Sequence, residues 1–284
     1  MPKLIAFIDG SVYSESVVDH AAWVANTVGA AVDVVHVIGR RDTGSVPVDL
    51  SGNLEMDSQQ ALLEELAEHD RQSARIARAR GRLIVDGAVQ RLRSAGVAEA
   101  HARLRTGDIV DSVQELESEA TLVIVGKRGE AADFARLHLG SNLERIVRVS
   151  HKPVLVANRK FKPVQRFMVA FDGGPSVMKA IAHIASGKLF PGLPCHLVAA
   201  GRDTPESRGR IGAAADRLRS AGYAVDYTVE DGEPEKVIAR AVERHKSDLL
   251  VMGAYGHSRI RSFIIGSTTA EIVRSVLVPV MLFR

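Results

Sequence analysis

The sequence is poor in the residues that covalent cross-links and metal-held folds require. It contains one cysteine, Cys195, in 284 residues, which excludes an internal disulfide and a cysteine-based zinc site. Its 10 histidines show no ligand spacing such as H-E-x-x-H, so the sequence predicts no metal site. The lone thiol lies among apolar neighbours, and a chain of this kind suits a reducing compartment. We therefore expect a cytoplasmic protein.

Long apolar runs and a strong charge of one sign are also missing. The apolar segment 4–8 is short and ends at Asp9, far below the length of a signal-peptide core or a membrane span. We expect no targeting signal and no membrane contact. The 37 basic and 34 acidic residues nearly balance, so the net charge of +3 does not by itself indicate nucleic acid.

The densest charge cluster lies in a segment with the periodicity of one long helix, about 59–95, after an expected exposed loop at 39–58. No aromatic residue is interleaved, so we interpret the cluster as a solvated face with local ion pairs and predict no nucleic-acid partner. Its members are Glu64, Glu65, Glu68, Asp70, Arg71, Arg75, Arg78, Arg80 and Arg82.

What the sequence does have is a spaced set of glycines. Gly253-Ala-Tyr-Gly256 follows the apolar run 249–252, and nine residues later Gly266-Ser267 opens a segment of helical pattern. Glycines allow backbone N–H groups to approach a polyphosphate, and a helix N-terminus adds unpaired donors and a positive dipole end. The pattern indicates a nucleotide-binding loop.

The chain is also an internal duplication. Arg91-Leu-Arg-Ser-Ala-Gly96 recurs letter for letter at 217–222, and later landmarks keep an offset of 125 to 127 residues. Asp9 and Asp172, which follow the first apolar run of each copy, are 163 residues apart, so the first copy carries extra length early. We predict two homologous domains, residues 1–159 and 165–284, joined by a short linker.

The first copy repeats the glycine pattern imperfectly. Ten residues rather than nine separate its second and third glycines, and Glu130 and Asp133 lie between them, partly offset by Lys127 and Arg128. A carboxylate that faces a phosphate site is unfavourable, so we expect the first copy to bind nucleotide weakly or to be structural. Its candidate residues are Asp9, Gly126, Gly129, Gly140 and Ser141.

Short apolar runs alternate with helical patterns throughout both copies. This alternation predicts an α/β fold with doubly wound parallel sheets covered by helices on both faces. Ligands of such sheets bind at the carboxyl ends of the strands where the strand order reverses. If the order reverses between the first and fourth strands, Asp172 and Gly253 fall in one crevice.

With these motifs in place, nearly the whole chain resembles a tandem universal stress protein. The second copy matches the family motif G-x2-G-x9-G-(S/T) at Gly253, Gly256, Gly266 and Ser267. The resemblance implies five-stranded sheets in the order 3-2-1-4-5. It also implies ATP, with or without Mg²⁺, along the loop after strand four.

The same resemblance assigns further site residues and contacts. It implies that Asp172 contacts the ribose or base, that Met252 and Ala199 line the base, and that Thr268 adds a donor beside Ser267. It further implies pairing of the two domains through their last strands, 154–157 and 278–283. The sequence leaves dimerisation of the whole molecule open.

Each assignment has a structural alternative, and so does the function. Asp172 in isolation would cap the helix starting near Ser176 or close a turn with Gly173-Gly174, and Met252 in isolation would be core packing. We expect an ATP-binding stress-response or regulatory protein with little or slow hydrolysis and no assigned catalytic residue. A nucleotide hydrolase or transferase and a scaffold without nucleotide are the alternatives, although no Walker lysine or G-x-S-x-G elbow is present.

Overall fold

We analysed a computed structural model of the chain, which describes residues 1–39, 56–129, 141–187, 189–254 and 267–284. Within these ranges the first half contains five strands, four α-helices and a short 3-10 turn at Glu117–Glu119. Its elements are β1 Lys3–Phe7, α1 Ser14–Val28, β2 Ala31–Ile38, α2 Met56–Ser94, β3 Ala100–Thr106, α3 Ile109–Leu116, β4 Leu122–Gly126, α4 Ser141–Val149 and β5 Val154–Ala157.

The second half repeats this alternation of strand and helix. Its helices begin at proline in three cases, where the fixed φ suits the first helical turn. The elements are β6 Phe167–Ala170, α5 Pro175–Ser186, β7 Cys195–Ala200, α6 Pro205–Ser220, β8 Val225–Glu230, α7 Pro234–Arg244, β9 Leu249–Gly253, α8 Ser267–Ser275 and β10 Val280–Phe283.

All ten strands form one continuous sheet, in the order β3-β2-β1-β4-β5-β10-β9-β6-β7-β8. Neighbours within each half pair in parallel. Each half therefore has the order 3-2-1-4-5 that the resemblance implied, and the α/β fold class is confirmed. The order reverses between the first and fourth strands of each half, which creates the crevice expected there.

The two halves join at the centre of the sheet. β5 and β10 pair antiparallel, with Leu155 opposite Met281, so each last strand covers the edge of the other. This is the pairing through last strands that the resemblance implied. The boundary at residues 159 and 165 stays a prediction, because the hydrophobic core beside it contains residues of both halves.

Helices cover both faces of this sheet. One core contains buried residues of α1, α2, α5 and α6, and the other contains residues of α3, α4, α7 and α8. The strands at the centre are apolar on both faces, as in β9, where Leu249, Leu250 and Val251 are all fully buried. The apolar runs of the sequence therefore become strands because both sides of the sheet are dry.

The extra length of the first copy lies partly in α2, which has 39 residues where its counterpart α6 has 16. The helix begins at Met56, so the expected loop at 39–58 was wrong for its last three residues. Residues 40–55 lie outside the described ranges. No helix in the described ranges combines the length and hydrophobicity needed to cross a membrane.

Candidate functional site

The candidate site of the second half lies where β6 and β9 end side by side. These strands pair in parallel, with Ala170 opposite Met252, so the residues that follow them emerge at the same edge of the sheet. Asp172 follows β6, and Gly253 is the last residue of β9. The structure thus brings the predicted carboxylate and the first motif glycine to one crevice.

Asp172 is held in a tight turn at the start of this crevice. Its Oδ1 accepts a hydrogen bond from the Gly174 N–H at 2.8 Å, and Gly173 adopts a positive φ of 70°. The turn that was the structural alternative for this residue is therefore present. Asp172 is nevertheless an exposed residue at the mouth of the crevice.

Gly253 is required by close packing against helix α5. A Cβ at this position would lie 2.9 Å from the Ser176 Cβ and 3.3 Å from the Val177 backbone nitrogen. A Cβ on Gly126, its counterpart in the first half, would lie 3.0 Å from the Tyr13 Cβ. Both first motif glycines therefore let the loop after strand four approach the helix that follows strand one.

Helix α8 begins beside the end of strand β9. It starts at Ser267, as the sequence predicted, and Thr268 is exposed. Thr269 is buried, and its Oγ1 donates to the Ala254 carbonyl oxygen at 3.1 Å. This bond ties the helix start to the end of β9. Sequence reasoning did not single out Thr269, whose signal was only its place beside the motif.

The two residues expected to line the base lie on opposite faces of the sheet. Met252 is buried in the core with α7 and α8, whereas Ala199 is half-buried beside the core with α5 and α6. Their role toward a base stays a prediction. Gly256, Gly266 and the basic residues between them, His257, Arg259 and Arg261, lie outside the described ranges, as does Gly140 of the first half.

An arginine at the second crevice was not predicted from the sequence. Arg210 of α6 donates through Nη2 to the Asp172 carbonyl oxygen at 3.4 Å, and a Cβ on Gly173 would overlap its guanidinium. The repeat offset of 126 residues places Ile84 at the corresponding position, and its side chain lies against Gly10 of the first half. The second crevice thus has a cation beside the loop that follows its first strand, where the first crevice has the apolar Ile84.

In the first half the aspartate and the loop are in contact. The Asp9 Oδ1 accepts bonds from the Ser11 N–H at 3.0 Å and the Ser14 Oγ at 3.2 Å. A Cβ on Gly129 would lie 2.9 Å from the Asp9 Oδ2, so a side chain there would displace the carboxylate from its present position. Ser141 begins α4, as expected from the repeat.

Lys127, which the sequence suggested would offset part of the acidic charge in the first-half loop, is bound to the other half of the chain. Its side chain is buried, and Nζ donates to the carbonyl oxygens of Arg274 at 3.0 Å and Val276 at 2.8 Å. These carbonyls end helix α8 of the other half, where a cation is favourable. Burial and the neighbouring Arg128 lower the pKa of Lys127 to about 8.

The fold and these two crevices define a class of protein, the tandem doubly wound α/β proteins with a glycine loop after strand four of each half. Within that class, the chain belongs to the Universal stress protein family, whose profile matches residues 1–158 and 198–284. This confirms the resemblance.

Full-length relatives agree with this assignment. The Universal stress protein Slr1230 of Synechocystis sp. is 34% identical over 287 aligned residues and covers 100% of both chains. A universal stress protein of Mycolicibacterium smegmatis is 23% identical over 99% of this chain and 96% of its own. The crystal structure of a universal stress protein from Archaeoglobus fulgidus is 20% identical, covers 99% of this chain and 98% of its own, and superimposes with a TM-score of 0.75.

Proposed function

We propose that the chain is an ATP-binding stress-response protein that holds nucleotide mainly in the crevice of its second half. The observation that carries the proposal is the meeting of Asp172 and Gly253, the first glycine of the motif, at one edge of the sheet. A carboxylate accepts hydrogen bonds from ribose hydroxyls, and a glycine loop that leads into a helix N-terminus holds phosphates.

The assignment of the site extends to residues whose contacts with nucleotide are proposals. Phosphates would lie along Gly253, Gly256, Gly266 and the start of α8 at Ser267, with Thr268 as a further donor. Met252 and Ala199 would border the base. The Arg210 guanidinium supports the second crevice over the first, because Ile84 supplies no charge at the corresponding place.

The first half is proposed as the weaker or structural partner. Its Lys127 ammonium is committed to the end of α8, so it does not offset the charges of Glu130 and Asp133. We propose the domain boundaries 1–159 and 165–284 for these two units. Little or slow hydrolysis is expected, with Mg²⁺ accompanying the phosphates as part of the ligand.

The duplication supplies a matched pair of variants for the test. Asp172→Asn retains an oxygen that can accept from the Gly174 N–H, so the turn is kept while the charge is lost. Asp9→Asn makes the same change in the first half. ATP binding is measured by calorimetry for each variant. Nucleotide carried by freshly purified protein is released by denaturation, identified by chromatography and counted.

We expect about one ATP per chain and at least a tenfold rise in its Kd for Asp172→Asn, since a hydrogen bond to a charged group is worth about 1.5–3 kcal/mol. Asp9→Asn should change the Kd by less than about twofold. If Asp172→Asn and Asp9→Asn raise the Kd equally, the second half is not the main nucleotide site. If the purified protein carries no nucleotide and binds no added ATP, the proposal is wrong and a scaffold without nucleotide is favoured. Mg²⁺-dependent release of phosphate from ATP would indicate a hydrolase.

A further inference from the structure

The N-terminal part of α2 has no counterpart in the second half. The shared RLRSAG segment aligns Pro205, the first residue of α6, with residue 79, so residues 56–78 are additional. At 1.5 Å per residue they add about 35 Å of helix. We call residues 60–80 the arm. Among the residues of α2 whose burial the structure describes, the first buried one is Gly81, and no described side chain of the arm is buried.

The arm leaves the body of the protein at the crevice end of the first half. Gly81 packs against His36 and Leu104 near the carboxyl ends of β2 and β3, and Ile84 lies against Gly10. Helix α2 therefore docks on the sheet from Gly81 onward. The arm precedes this docked part and extends beyond the edge of the sheet.

Charge is segregated along the arm in a way that does not support an isolated helix. Acidic residues occupy its first part and arginines its second, in the order Glu64, Glu65, Glu68, Asp70, Arg71, Arg75, Arg78 and Arg80. At spacings of three and four, these residues form four like-charged pairs and one opposite pair, Glu68 with Arg71, which lie 3.4 Å apart. Like charges at these spacings destabilise a helix by about 0.2–0.5 kcal/mol per pair.

One local ion pair expected from the sequence, Glu68 with Arg71, is present among the described residues, and like-charged neighbours outnumber it at spacings of three and four. A charged helix of this length gains little stability in water from its own sequence. Five of the charged residues, Glu64, Glu68, Arg71, Arg75 and Arg78, follow one another at spacings of three and four and so share one face of the arm. The order of charge along this face favours a partner helix that presents the opposite order.

We propose that the arm is a dimerisation element that pairs antiparallel with the arm of a second copy of this chain. An antiparallel arrangement about a two-fold axis near Arg71 opposes the acidic block of each arm to the basic block of the other. A parallel arrangement would place the two acidic blocks opposite each other and the two basic blocks opposite each other. A two-fold axis requires a self-complementary surface, and two charge blocks of opposite sign meet that requirement.

The test reverses one block at a time. In the first variant the four acidic residues of the arm become lysine, and in the second the four arginines 71, 75, 78 and 80 become glutamate. In each variant all charged residues of the arm carry the same sign, so the arms of two identical chains should repel each other. The dimer Kd at low salt, measured by sedimentation equilibrium, should rise at least about tenfold. A mixture of the two variants, and the variant with both blocks exchanged, should dimerise again. Lys160→Glu with Lys162→Glu, in the connecting segment, is the control and should leave the Kd unchanged.

Orientation is tested separately by cysteine cross-linking, since Cys195 is buried. Gln72→Cys, next to the axis, should form an intermolecular disulfide under mild oxidation. Gln60→Cys should not, because antiparallel arms keep the two copies of residue 60 about 36 Å apart. A monomeric wild-type chain, a dimer that survives single-block reversal, or efficient cross-linking at Gln60→Cys would each overturn the proposal. Rescue by mixing excludes misfolding as the cause of dimer loss.

Discussion

At the scale of single residues, the Lys127 side chain links the two halves by two hydrogen bonds. Replacing it with Met keeps a long side chain but removes both donors to the Arg274 and Val276 carbonyl oxygens. We expect the free energy of unfolding at pH 7 to fall by about 1–3 kcal/mol, measured by chemical denaturation. Lys236→Met, at an exposed lysine, is the control and should change it by less than about 0.5 kcal/mol.

The pH dependence of the same residue gives a second readout. The folded chain releases the Lys127 proton near pH 8, whereas the unfolded chain keeps it up to the ordinary pKa of 10.5. Between these values the unfolded state binds more protons, so the lysine's contribution to stability rises with pH, and below them it is constant. The stability difference between wild type and Lys127→Met should therefore move in favour of wild type from pH 8 to 10. Movement in the opposite direction would contradict the burial of this ammonium.

Arg210 distinguishes the two crevices, and exchanging it for the residue of the other half isolates its charge. Arg210→Ile copies Ile84 and should raise the Kd for ATP about two- to fivefold, since a solvated cation near an anionic ligand contributes up to about 1 kcal/mol. The effect should shrink at high salt. Arg217→Ile, on the same helix, is the control for loss of a positive charge. If both variants behave alike, Arg210 has no particular role at the site.

The residue scale is also where sequence reasoning failed. Asp172 and Gly253 could be placed because a spaced motif and a strand pattern constrain them locally. Lys127 and Arg210 could not, because their partners are carbonyl groups set by the docking of distant elements. Nothing in the local sequence of Lys127 distinguishes a lysine that offsets nearby carboxylates from one that binds the C-terminal end of a distant helix. Thr269 was missed for the same reason, since its acceptor is the Ala254 carbonyl.

At the scale of elements, the start of α5 and the end of β9 depend on Gly253. Gly253→Ala should lower the free energy of unfolding by about 1–3 kcal/mol, because the new Cβ overlaps the Ser176 Cβ and approaches the Val177 nitrogen. Gly209→Ala, within α6, is the matched change because a Cβ there meets nothing within 4 Å. It should raise stability by up to about 1 kcal/mol. Thermal or chemical denaturation of both variants checks the pair, and equal loss in both would refute the packing role.

Most elements were predictable because their signals are local. The apolar run 249–252 forms β9, Leu249–Gly253, and the last strand expected at 278–283 forms β10, Val280–Phe283. The start of α2 was placed three residues late, since the polar segment before it has the composition of a loop. The charge blocks of the arm could be recognised in the sequence. Their exposure could not be predicted from it, because it depends on where along α2 the helix first packs against the sheet.

At the scale of the whole molecule, the two halves share contacts on both sides of the β5–β10 pairing. Trp23 of α1 lies with its ring centroid 6.2 Å from that of Phe190 in the second half, and Phe190 stacks on Phe167 at 4.5 Å. His20 of the first half meets Phe161 of the connecting segment edge-on. The sequence predicted the strand pairing but not this aromatic contact, because it joins residues far apart in both copies.

These shared contacts imply that the halves unfold together. Trp23 is the only tryptophan, so its fluorescence reports the contact with Phe190, while far-UV circular dichroism reports both halves. We expect one guanidinium transition with coincident midpoints by the two probes, as a single cooperative unit requires. Phe190→Ala, which removes a fully buried ring, should lower the free energy of unfolding by about 3–5 kcal/mol and shift both probes together. Two separated transitions, or a shift of the fluorescence signal alone, would mean that the two halves unfold independently although their strands form one continuous sheet.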